Sequence, residues 1–300
     1  MSDMFATVLD CNGRSLTLDR TRVVGIINVT PDSFSDGGQF ADTGDAVAHG
    51  LRLAEEGADM LDVGGESTRP GAADVSVDDE LRRVIPVIEQ LVARTSLPIA
   101  VDTSKPDVMR AAVAAGAGMI NDVYALRRDG AMDAAAALQV PICLMHMQGE
   151  PRSMQNEPHY DDVVGEVHRF LTDRLFACEL AGIDRRKVMV DPGFGFGKNL
   201  EHNLALLRKL ERFADLGSGV YVGLSRKSMI GTLTGRKEPS ERAAGSLAAA
   251  VIAAQRGARM VRVHDVVSTV DALKVWHAVK AGDIPERRDT PKAPRWPDDD

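Results

Sequence analysis

The chain has 300 residues, 44% of them hydrophobic and only 4% aromatic, and a formal net charge of −8. This length suits one large α/β barrel or two ordinary domains. A core so poor in aromatics must consist mainly of Val, Leu, Ile, Ala and Met. The negative charge argues against broad binding of nucleic acids or anionic membranes, which requires clustered Lys and Arg. A few cations focused in a cleft can still bind a small anionic substrate.

The cysteines give no sign of a disulfide framework or a zinc site. Cys11, Cys143 and Cys178 lie far apart and show no C-x-x-C spacing. The N-terminus has no signal-peptide pattern, and no apolar run reaches the ~18 residues of a membrane span. We therefore expect a soluble, cytoplasmic protein.

Turn and periodicity patterns predict a β-hairpin followed by alternating strands and helices. The hairpin is predicted at residues 5–20, with Asn12-Gly13 as its tight turn. We expect this hairpin to close the bottom of the domain. Strands are predicted at 23–27, 60–63, 99–101, 119–123, 142–146, 188–190, 220–224 and 260–263. Helices are predicted at 43–56, 77–93, after a cap at Ser104, in a short Ala-rich stretch before residue 142, at 160–181, and from Asn199, Ser240 and Ser268.

Eight strands alternating with helices predict a TIM (β/α)8 barrel, with an open doubly wound sheet as the main alternative. A weak repeat favours the barrel, because Gly57, Gly116 and Gly257 each end a helix and precede Ala and a strand. Strand periodicity places Arg262 and His264 on one side, pointing inward at the barrel mouth. We expect one domain at 1–281, with the barrel at 22–281, and a disordered tail at 282–300.

Polar residues follow nearly every predicted strand. Taken singly, each is better explained as a helix cap or turn former. Taken together they indicate an active site, because barrel enzymes place catalysis at the C-terminal ends of their strands. The residues are Asn28, Glu66, Ser67, Thr68, Arg69, Asp102, Asn121, Asp122, His146, Asp191, Ser225, Arg226, Lys227, Ser228, Arg262 and His264.

Two chemical groups stand out among them. Asp102, Asn121, Asp191 and Lys227 combine donors and acceptors in a way that suits a flat heterocycle; a buried Asp–Lys ion pair that stiffens the barrel is the alternative. Asn28, Arg262 and His264 suit a phosphorylated group, with Asn28 available to bind Mg²⁺. The glycine-rich segment 193–198 fits neither common nucleotide motif, and we interpret its glycines as allowing close approach to a ligand.

Five segments resemble the dihydropteroate synthase family, in matching order across about residues 22–281. They are NVTPDSFSDGG (28–38), DVGGESTRPGA (62–72), VDPGFGFGK (190–198), GLSRKS (223–228) and RVHDV (262–266). The resemblance implies a TIM-barrel transferase, usually a homodimer. Such an enzyme condenses 6-hydroxymethyl-7,8-dihydropterin diphosphate with 4-aminobenzoate and releases pyrophosphate in folate synthesis.

The resemblance also assigns roles to individual positions. Pterin binding falls to Asp102, Asn121, Met145, Asp191, Phe196, Gly223 and Lys227. Diphosphate binding falls to Asn28, Thr68, Arg262 and His264, with Asn28 as the Mg²⁺ ligand. Binding of aminobenzoate, which sulfonamides mimic, falls to Phe34, Thr68, Arg69, Pro70, Lys227 and Ser228. Catalysis falls to Asp102, Lys227, Arg262, His264 and Asp36.

The implied chemistry is a dissociative step that leaves positive charge on the pterin methylene, with residues 30–38 closing as a lid. If the two chemical groups act separately, Arg262→Ala weakens diphosphate binding and Asp102→Asn weakens pterin binding. A pterin-dependent methyltransferase and a catalytically silent pterin-binding paralogue are the alternatives. The last two helices, with Leu273 and Trp276, are the expected dimer interface.

Overall fold

A computed structural model of the chain describes residues 7–30, 38–67, 74–149, 154 and 157–282. Ten strands are found in this part of the chain: β1 (Val8–Cys11), β2 (Arg14–Thr17), β3 (Arg22–Asn28), β4 (Met60–Gly64), β5 (Ile99–Asp102), β6 (Met119–Asp122), β7 (Ile142–Met145), β8 (Val188–Asp191), β9 (Val220–Val222) and β10 (Ala258–Val263). Residues 31–37 of the lid predicted at 30–38, and residues 283–300 of the tail predicted at 282–300, lie outside the described residues.

Strands β3 to β10 form a closed barrel in the order β10-β3-β4-β5-β6-β7-β8-β9, and all the pairs are parallel. The predicted TIM barrel is confirmed. Its strands are almost wholly buried, since side chains fill the inside and helices cover the outside. Because the strands are parallel, their C-terminal ends meet at one mouth, where the loops to the helices begin.

Nine α-helices lie in the described part of the chain: α1 (Gly38–Glu55), α2 (Val77–Arg94), α3 (Pro106–Ala114), α4 (Ala131–Leu138), α5 (Val163–Leu180), α6 (Leu200–Arg208), α7 (Ser228–Thr234), α8 (Ala243–Gln255) and α9 (Val266–Ala281). The three repeated glycines have φ of +97°, +106° and +94° at the turns before β4, β6 and β10. Such angles suit glycine, which explains why the helices end there. None of the described helices is long and apolar enough to cross a membrane.

Several predicted helix starts are wrong by a few residues: α1 begins at Gly38 and not at residue 43, α5 at Val163 and not at residue 160, and α9 at Val266 and not at Ser268. Ser104 does not cap α3; Lys105 is the N-cap and Pro106 follows it in the first turn, where a missing N–H costs nothing. The helix predicted from Ser240 begins instead at Ala243, after a 3₁₀ turn at Pro239–Arg242. The separate helix α7, which ends at Gly235 in the left-handed conformation, was not predicted.

The hairpin β1–β2 closes the N-terminal end of the barrel, as predicted. Its apolar side chains Leu9, Cys11, Leu16 and Leu18 pack in one cluster with inward-facing residues from the beginnings of the strands, among them Met60, Met119, Met189, Tyr221 and Met260. The contact is close at Gly118, where a Cβ would overlap the Cys11 carbonyl. This sealed floor leaves the opposite end of the barrel as the place for a site.

Candidate active site

Four residues share one row across neighbouring strands at the barrel mouth. Asn28 pairs in register with Gly64, Gly64 with Asp102, and Asp102 with Asn121. Each is the last or next-to-last residue of its strand. The parallel register therefore brings together side chains that are far apart in the sequence, as the strand-end pattern predicted.

Arg262 connects two carboxylates inside this mouth. Its Nη2 donates to Asp102 Oδ2 at 2.8 Å, and its Nε donates to Asp62 Oδ2. The Asp62 side chain is fully buried, and those of Asp102 and Arg262 are only 12% and 19% exposed. A charged triad so poorly solvated fixes the guanidinium plane. The structure thus joins Arg262 to Asp102, which the sequence pattern had placed in a separate chemical group.

Asp62 also binds the amide of Asn121. Asn121 Nδ2 donates to Asp62 Oδ2 at 3.1 Å, and both side chains are buried. Because a carboxylate oxygen only accepts hydrogen bonds, the amide nitrogen must face it, and Asn121 Oδ1 remains available as an acceptor.

On the opposite wall, Asp191 and Lys227 form the second charged part of the mouth. Asp191 Oδ1 accepts a hydrogen bond from the Gly193 N–H at 2.7 Å. Lys227 is the N-cap of α7, and its Nζ lies 4.1 Å from the centroid of the Phe196 ring. The ammonium therefore combines a cation–π contact with the nearby carboxylate.

Burial shifts the pKa values of Asp102, Asp191 and Lys227 in the mouth towards neutrality. It raises the pKa of Asp102 to about 7, with Arg262 acting in the opposite direction, and that of Asp191 to about 6, opposed by the Gly193 N–H and Lys227. It lowers the pKa of Lys227 to about 8. The pKa of Arg262 is raised by Asp62 and Asp102, which outweigh its burial. Such perturbed groups in one cleft are typical of functional sites.

Lys198 holds the glycine-rich loop in place. Its Nζ lies 2.9 Å from His146 Nδ1 and donates to the carbonyls of Gly193 at 3.0 Å and Phe196 at 2.9 Å. Burial lowers the pKa of Lys198 to about 7, and burial beside Lys198 lowers that of His146 to about 2. His146 is therefore a neutral acceptor at Nδ1, and both side chains support the loop from behind.

Lys105 is another buried cation, and it lies beside the loop that follows β4. Lys105 Nζ donates to Glu66 Oε2 at 2.6 Å and also to Glu80 Oε2. Glu66 Oε1 in turn accepts the N–H of Val75 at 3.1 Å. Glu80 is fully buried on α2 and Lys105 is 6% exposed. This cluster joins the two ends of the 66–75 segment.

The segment between β9 and α7 is held by β10 and α8. Ser225 Oγ lies 3.0 Å from His264 Nδ1, and Arg226 forms an ion pair with Asp265 at 2.7 Å. Arg226 has φ of +59°, a left-handed conformation unusual for a non-glycine residue. Its N–H donates to Ser246 Oγ at 2.9 Å, a bond that supports this conformation. Lys227 is therefore presented by a rigid turn.

Three further predicted residues, Met145, Gly223 and Ser228, lie where strands end or a helix begins at the barrel mouth. Met145 ends β7 and packs with Phe196 in a small cluster, and Ser228 is the exposed first residue of α7. A side chain at Gly223 would meet no atom within 4 Å, so this position borders open space. Five predicted site residues lie outside the described residues: Phe34, Asp36, Thr68, Arg69 and Pro70.

Sequence reasoning missed Asp62 and Lys198 as parts of the site. Asp62 appeared only as the first residue of the segment 62–72, and Lys198 only as the end of a weak loop motif. The available signal was burial itself, since a charged residue within an apolar strand requires a partner.

Comparison with a protein-family model defines the class. The model described as pterin binding enzyme matches residues 24–264, which is most of the chain. Together with the closed barrel and its polar mouth, this match defines a TIM-barrel enzyme of the pterin-binding class.

Similar proteins narrow the class. Dihydropteroate synthase from Escherichia coli (strain K12) is 54% identical over 270 residues, covering 90% of this chain and 95% of that protein. A Xanthomonas albilineans dihydropteroate synthase with 4-aminobenzoic acid superposes with a TM-score of 0.88 at 66% identity, covering 92% of this chain and 99% of that chain. A Yersinia pestis dihydropteroate synthase with a sulfonamide drug complex gives 0.87 at 48%, covering 91% and 99%. The chain therefore belongs to the dihydropteroate synthase family of pterin-binding enzymes.

Proposed function

We propose that this protein catalyses the condensation of 6-hydroxymethyl-7,8-dihydropterin diphosphate with 4-aminobenzoate to 7,8-dihydropteroate and pyrophosphate. The observation that carries the proposal is the ring of Asp102, Asn121, Asp191 and Lys227 around the barrel mouth. A related Xanthomonas albilineans enzyme, 64% identical, has been solved in complex with 7,8-dihydropteroate.

The ring suits one flat, hydrogen-bonding heterocycle. Asp191 accepts from ring N–H and amino groups, Asn121 Oδ1 accepts another N–H, and Lys227 donates to a carbonyl or ring nitrogen. Phe196 and Met145 supply an apolar wall, and Gly223 leaves room beside it. A phosphate alone fits poorly here because two carboxylates would repel it.

Diphosphate binding is assigned to Arg262, His264 and Asn28, with Thr68 as an expected further contact. Arg262 and His264 come from the end of β10, which pairs with β3, and β3 ends at Asn28. Asp62 and Asp102 each accept one guanidinium N–H of Arg262, so its remaining N–H groups and the His264 imidazole would bind the anion.

We propose that Asn28 and the diphosphate of the substrate together hold a Mg²⁺ ion. Among the described residues, no three His, Cys, Asp or Glu side chains converge as a metal site. Mg²⁺ accepts such an environment, because it is commonly held by one or two protein oxygens with phosphate and water oxygens. The Asn28 amide oxygen would be the protein ligand. When bound, the ion neutralises charge on the departing pyrophosphate.

The reacting bond is the C–O bond between the pterin methylene and the diphosphate. Asp102, held by Arg262, faces the positive charge that develops on the pterin as this bond breaks, and Lys227 and Arg262 limit the ways the ring can bind. We propose that the aniline nitrogen of 4-aminobenzoate then attacks the methylene cation, with Asp36 close to it. The attacking nitrogen loses one proton as the new C–N bond forms.

Binding of 4-aminobenzoate is proposed for the loop that begins at Glu66 and for the start of α7, where Lys227 and Ser228 lie. Phe34, Thr68, Arg69 and Pro70 complete the expected pocket. Sulfonamides are expected to occupy it as mimics of 4-aminobenzoate, and the related Yersinia pestis enzyme has been solved in a complex with a sulfonamide drug.

We also propose a homodimer. The exposed face of α9 carries Val267, Val275 and Val279, and Ile252 is exposed on the neighbouring α8. The expected contribution of Leu273 is wrong, because this side chain is only 2% exposed and belongs to the barrel core. A cytoplasmic location is proposed as well, and it agrees with three buried free thiols.

The deciding experiment mixes purified protein with dihydropterin diphosphate, 4-aminobenzoate and Mg²⁺ and measures pyrophosphate and dihydropteroate. Equal amounts of both products are expected, with competition between a sulfonamide and 4-aminobenzoate. Absence of product would overturn the proposal. Methyl transfer to an acceptor in place of condensation would favour a pterin-dependent methyltransferase, and pterin binding without either reaction would favour a silent paralogue.

A further inference from the structure

The pterin site contains one fully buried carboxylate that no predicted role explains. Asp62 lies in the middle of β4, between β3 and β5, and is 0% exposed. A carboxylate in such a place is costly unless charged and polar partners surround it.

The two partners of Asp62 are both predicted ligand-binding residues. Its Oδ2 accepts hydrogen bonds from Asn121 Nδ2 at 3.1 Å and from Arg262 Nε. Its Oδ1 has no hydrogen-bond partner among the described residues. One oxygen therefore holds an amide and a guanidinium in fixed orientations, and the other holds nothing in this part of the chain.

The orientation of Asn121 matters because an amide can bind in two ways related by a flip. With Nδ2 bound to Asp62, the side chain offers Oδ1 to a ligand; flipped, it would offer a donor instead. A site that offers a donor to a ring N–H leaves two polar hydrogens facing each other, and this strongly disfavours binding.

We propose that Asp62 is a positioning residue for pterin recognition: it fixes the Asn121 amide with Oδ1 towards the ligand and holds Arg262 against Asp102. The inference rests on the proposed function only for the identity of the ligand. Asp62 itself need not touch the pterin, and its action is through Asn121 and Arg262.

The unpartnered Oδ1 atom allows charge and orientation to be tested separately. In Asp62→Asn, the amide oxygen can take the place of Oδ2 and the NH₂ group the place of Oδ1, so both hydrogen bonds can remain. Asp62→Ala removes both. If Ala leaves a cavity that prevents folding, Asp62→Leu fills it with a side chain that accepts nothing.

The experiment measures the Kd of 6-hydroxymethylpterin, which lacks the diphosphate, by calorimetry. Asp62→Ala or Leu is expected to raise Kd at least about tenfold, and Asp62→Asn to recover most of that loss. Asp59→Ala is the matched control: Asp59 also binds arginines, Arg20 and Arg22, but just before β4 at the barrel floor. Its Kd should equal that of the native protein.

A double variant tests whether Asp62 acts through Asn121. In an Asn121→Ala background, Asp62→Ala should raise Kd by a smaller factor than in the native background. An equal factor in both backgrounds would overturn the proposal. So would native affinity in a folded Asp62→Ala or Leu variant, or an Asp62→Asn variant as weak as Asp62→Ala.

Product formation by the native protein separates this inference from the proposed function. If product forms and the Asp62 variants bind the pterin normally, the inference fails alone. If the native protein binds 6-hydroxymethylpterin with the expected Asp62 dependence but forms no product, the proposed function fails and the positioning role remains.

Discussion

At the scale of single residues, Arg262 changes how the site is understood. The sequence separated an anion-binding group from a heterocycle-binding group, whereas the guanidinium donates to both Asp62 and Asp102. Loss of Arg262 should therefore affect pterin as well as diphosphate binding, and the simple division between Arg262→Ala and Asp102→Asn no longer holds.

The pH dependence of kcat/KM should report the ion pair between Asp102 and Arg262. The pKa of Asp102 is raised to about 7 by burial, and Arg262 holds it below a still higher value. In Arg262→Ala that restraint is lost, so Asp102 is protonated at higher pH. We expect the acidic limb of kcat/KM for the pterin diphosphate to move up by about one pH unit or more.

The control is Arg22→Ala, which removes an arginine that also pairs with two carboxylates, Asp19 and Asp59, but at the barrel floor. Its acidic limb should remain at the native pH. A limb that moves equally in both variants, or moves down in Arg262→Ala, would contradict the assignment to Asp102.

Two glycines provide a second test at this scale. Gly193 and Gly235 both have φ of +72°, but a Cβ at Gly193 would overlap the His146 carbonyl oxygen, whereas at Gly235 it would meet no atom within 4 Å. Gly235→Ala should cost about 1–2 kcal/mol of unfolding free energy from backbone strain alone. Gly193→Ala should cost at least about 1 kcal/mol more.

Denaturant unfolding measures both costs. Gly193→Ala should in addition weaken pterin binding, because the Gly193 N–H donates to Asp191. Equal stability losses, or a pterin affinity unaffected by Gly193→Ala, would show that the close approach to His146 does not set the loop.

At the scale of elements, the Glu66–Lys105–Glu80 cluster links three parts of the fold. Glu66 follows β4, Lys105 precedes α3, and Glu80 lies in the first turn of α2. Through Val75, the same cluster ties together both ends of the segment proposed to bind 4-aminobenzoate.

Lys105→Met should leave two carboxylates without a counterion and lower the unfolding free energy by about 3–5 kcal/mol. It should also raise the KM for 4-aminobenzoate more than that for the pterin diphosphate. The substitution loosens the ends of the segment proposed to bind 4-aminobenzoate, whereas the residues proposed to bind the pterin stay in place. Thermal unfolding and steady-state kinetics measure the two effects.

Arg82→Ala is the control for Lys105→Met. It removes an exposed ion pair with Asp79 on the same helix α2 and should cost only about 0–1 kcal/mol. A Lys105→Met variant with near-native stability, or with equal changes in both KM values, would argue against a positioning role for the cluster.

Periodicity and strand ends were enough to predict the barrel and most of the mouth. The strand and helix periods differ, glycines end the helices before β4, β6 and β10, and parallel strands place their C-terminal ends together. Boundaries at Ser104 and Ser240 were wrong because Pro106, Gly235 and Pro239 determine local geometry there. The partners of Asp62 could not be predicted, since they depend on register between strands up to 200 residues apart.

At the scale of the whole molecule, charge and apolar surface are distributed unevenly. The chain carries a net charge of −8, and its mouth combines the cations Lys227 and Arg262 with the carboxylates Asp62, Asp102 and Asp191. The apolar residues exposed on α8 and α9 form the face proposed for a second copy of the chain.

Val275→Glu should convert the proposed dimer to a monomer, because Val275 is 66% exposed and would become a buried charge at the interface. Sedimentation velocity measures the change. Phe176→Glu is the matched control: it replaces another apolar side chain, 61% exposed, on α5. A dimer that persists in Val275→Glu, or is lost equally in Phe176→Glu, would place the interface elsewhere.

The closure of the barrel has a consequence for biosynthesis. β3, at residues 22–28, pairs on one side with β10, at residues 258–263, and the hairpin packs on Met260 as well. More than two hundred further residues must therefore be synthesised before β10, the second neighbour of β3, exists. During that interval Leu9, Cys11, Leu16 and Leu18 lack part of their final contact surface. Ring closure must follow translation of Val263, and until then β3 has an unpaired strand edge of the kind that favours aggregation.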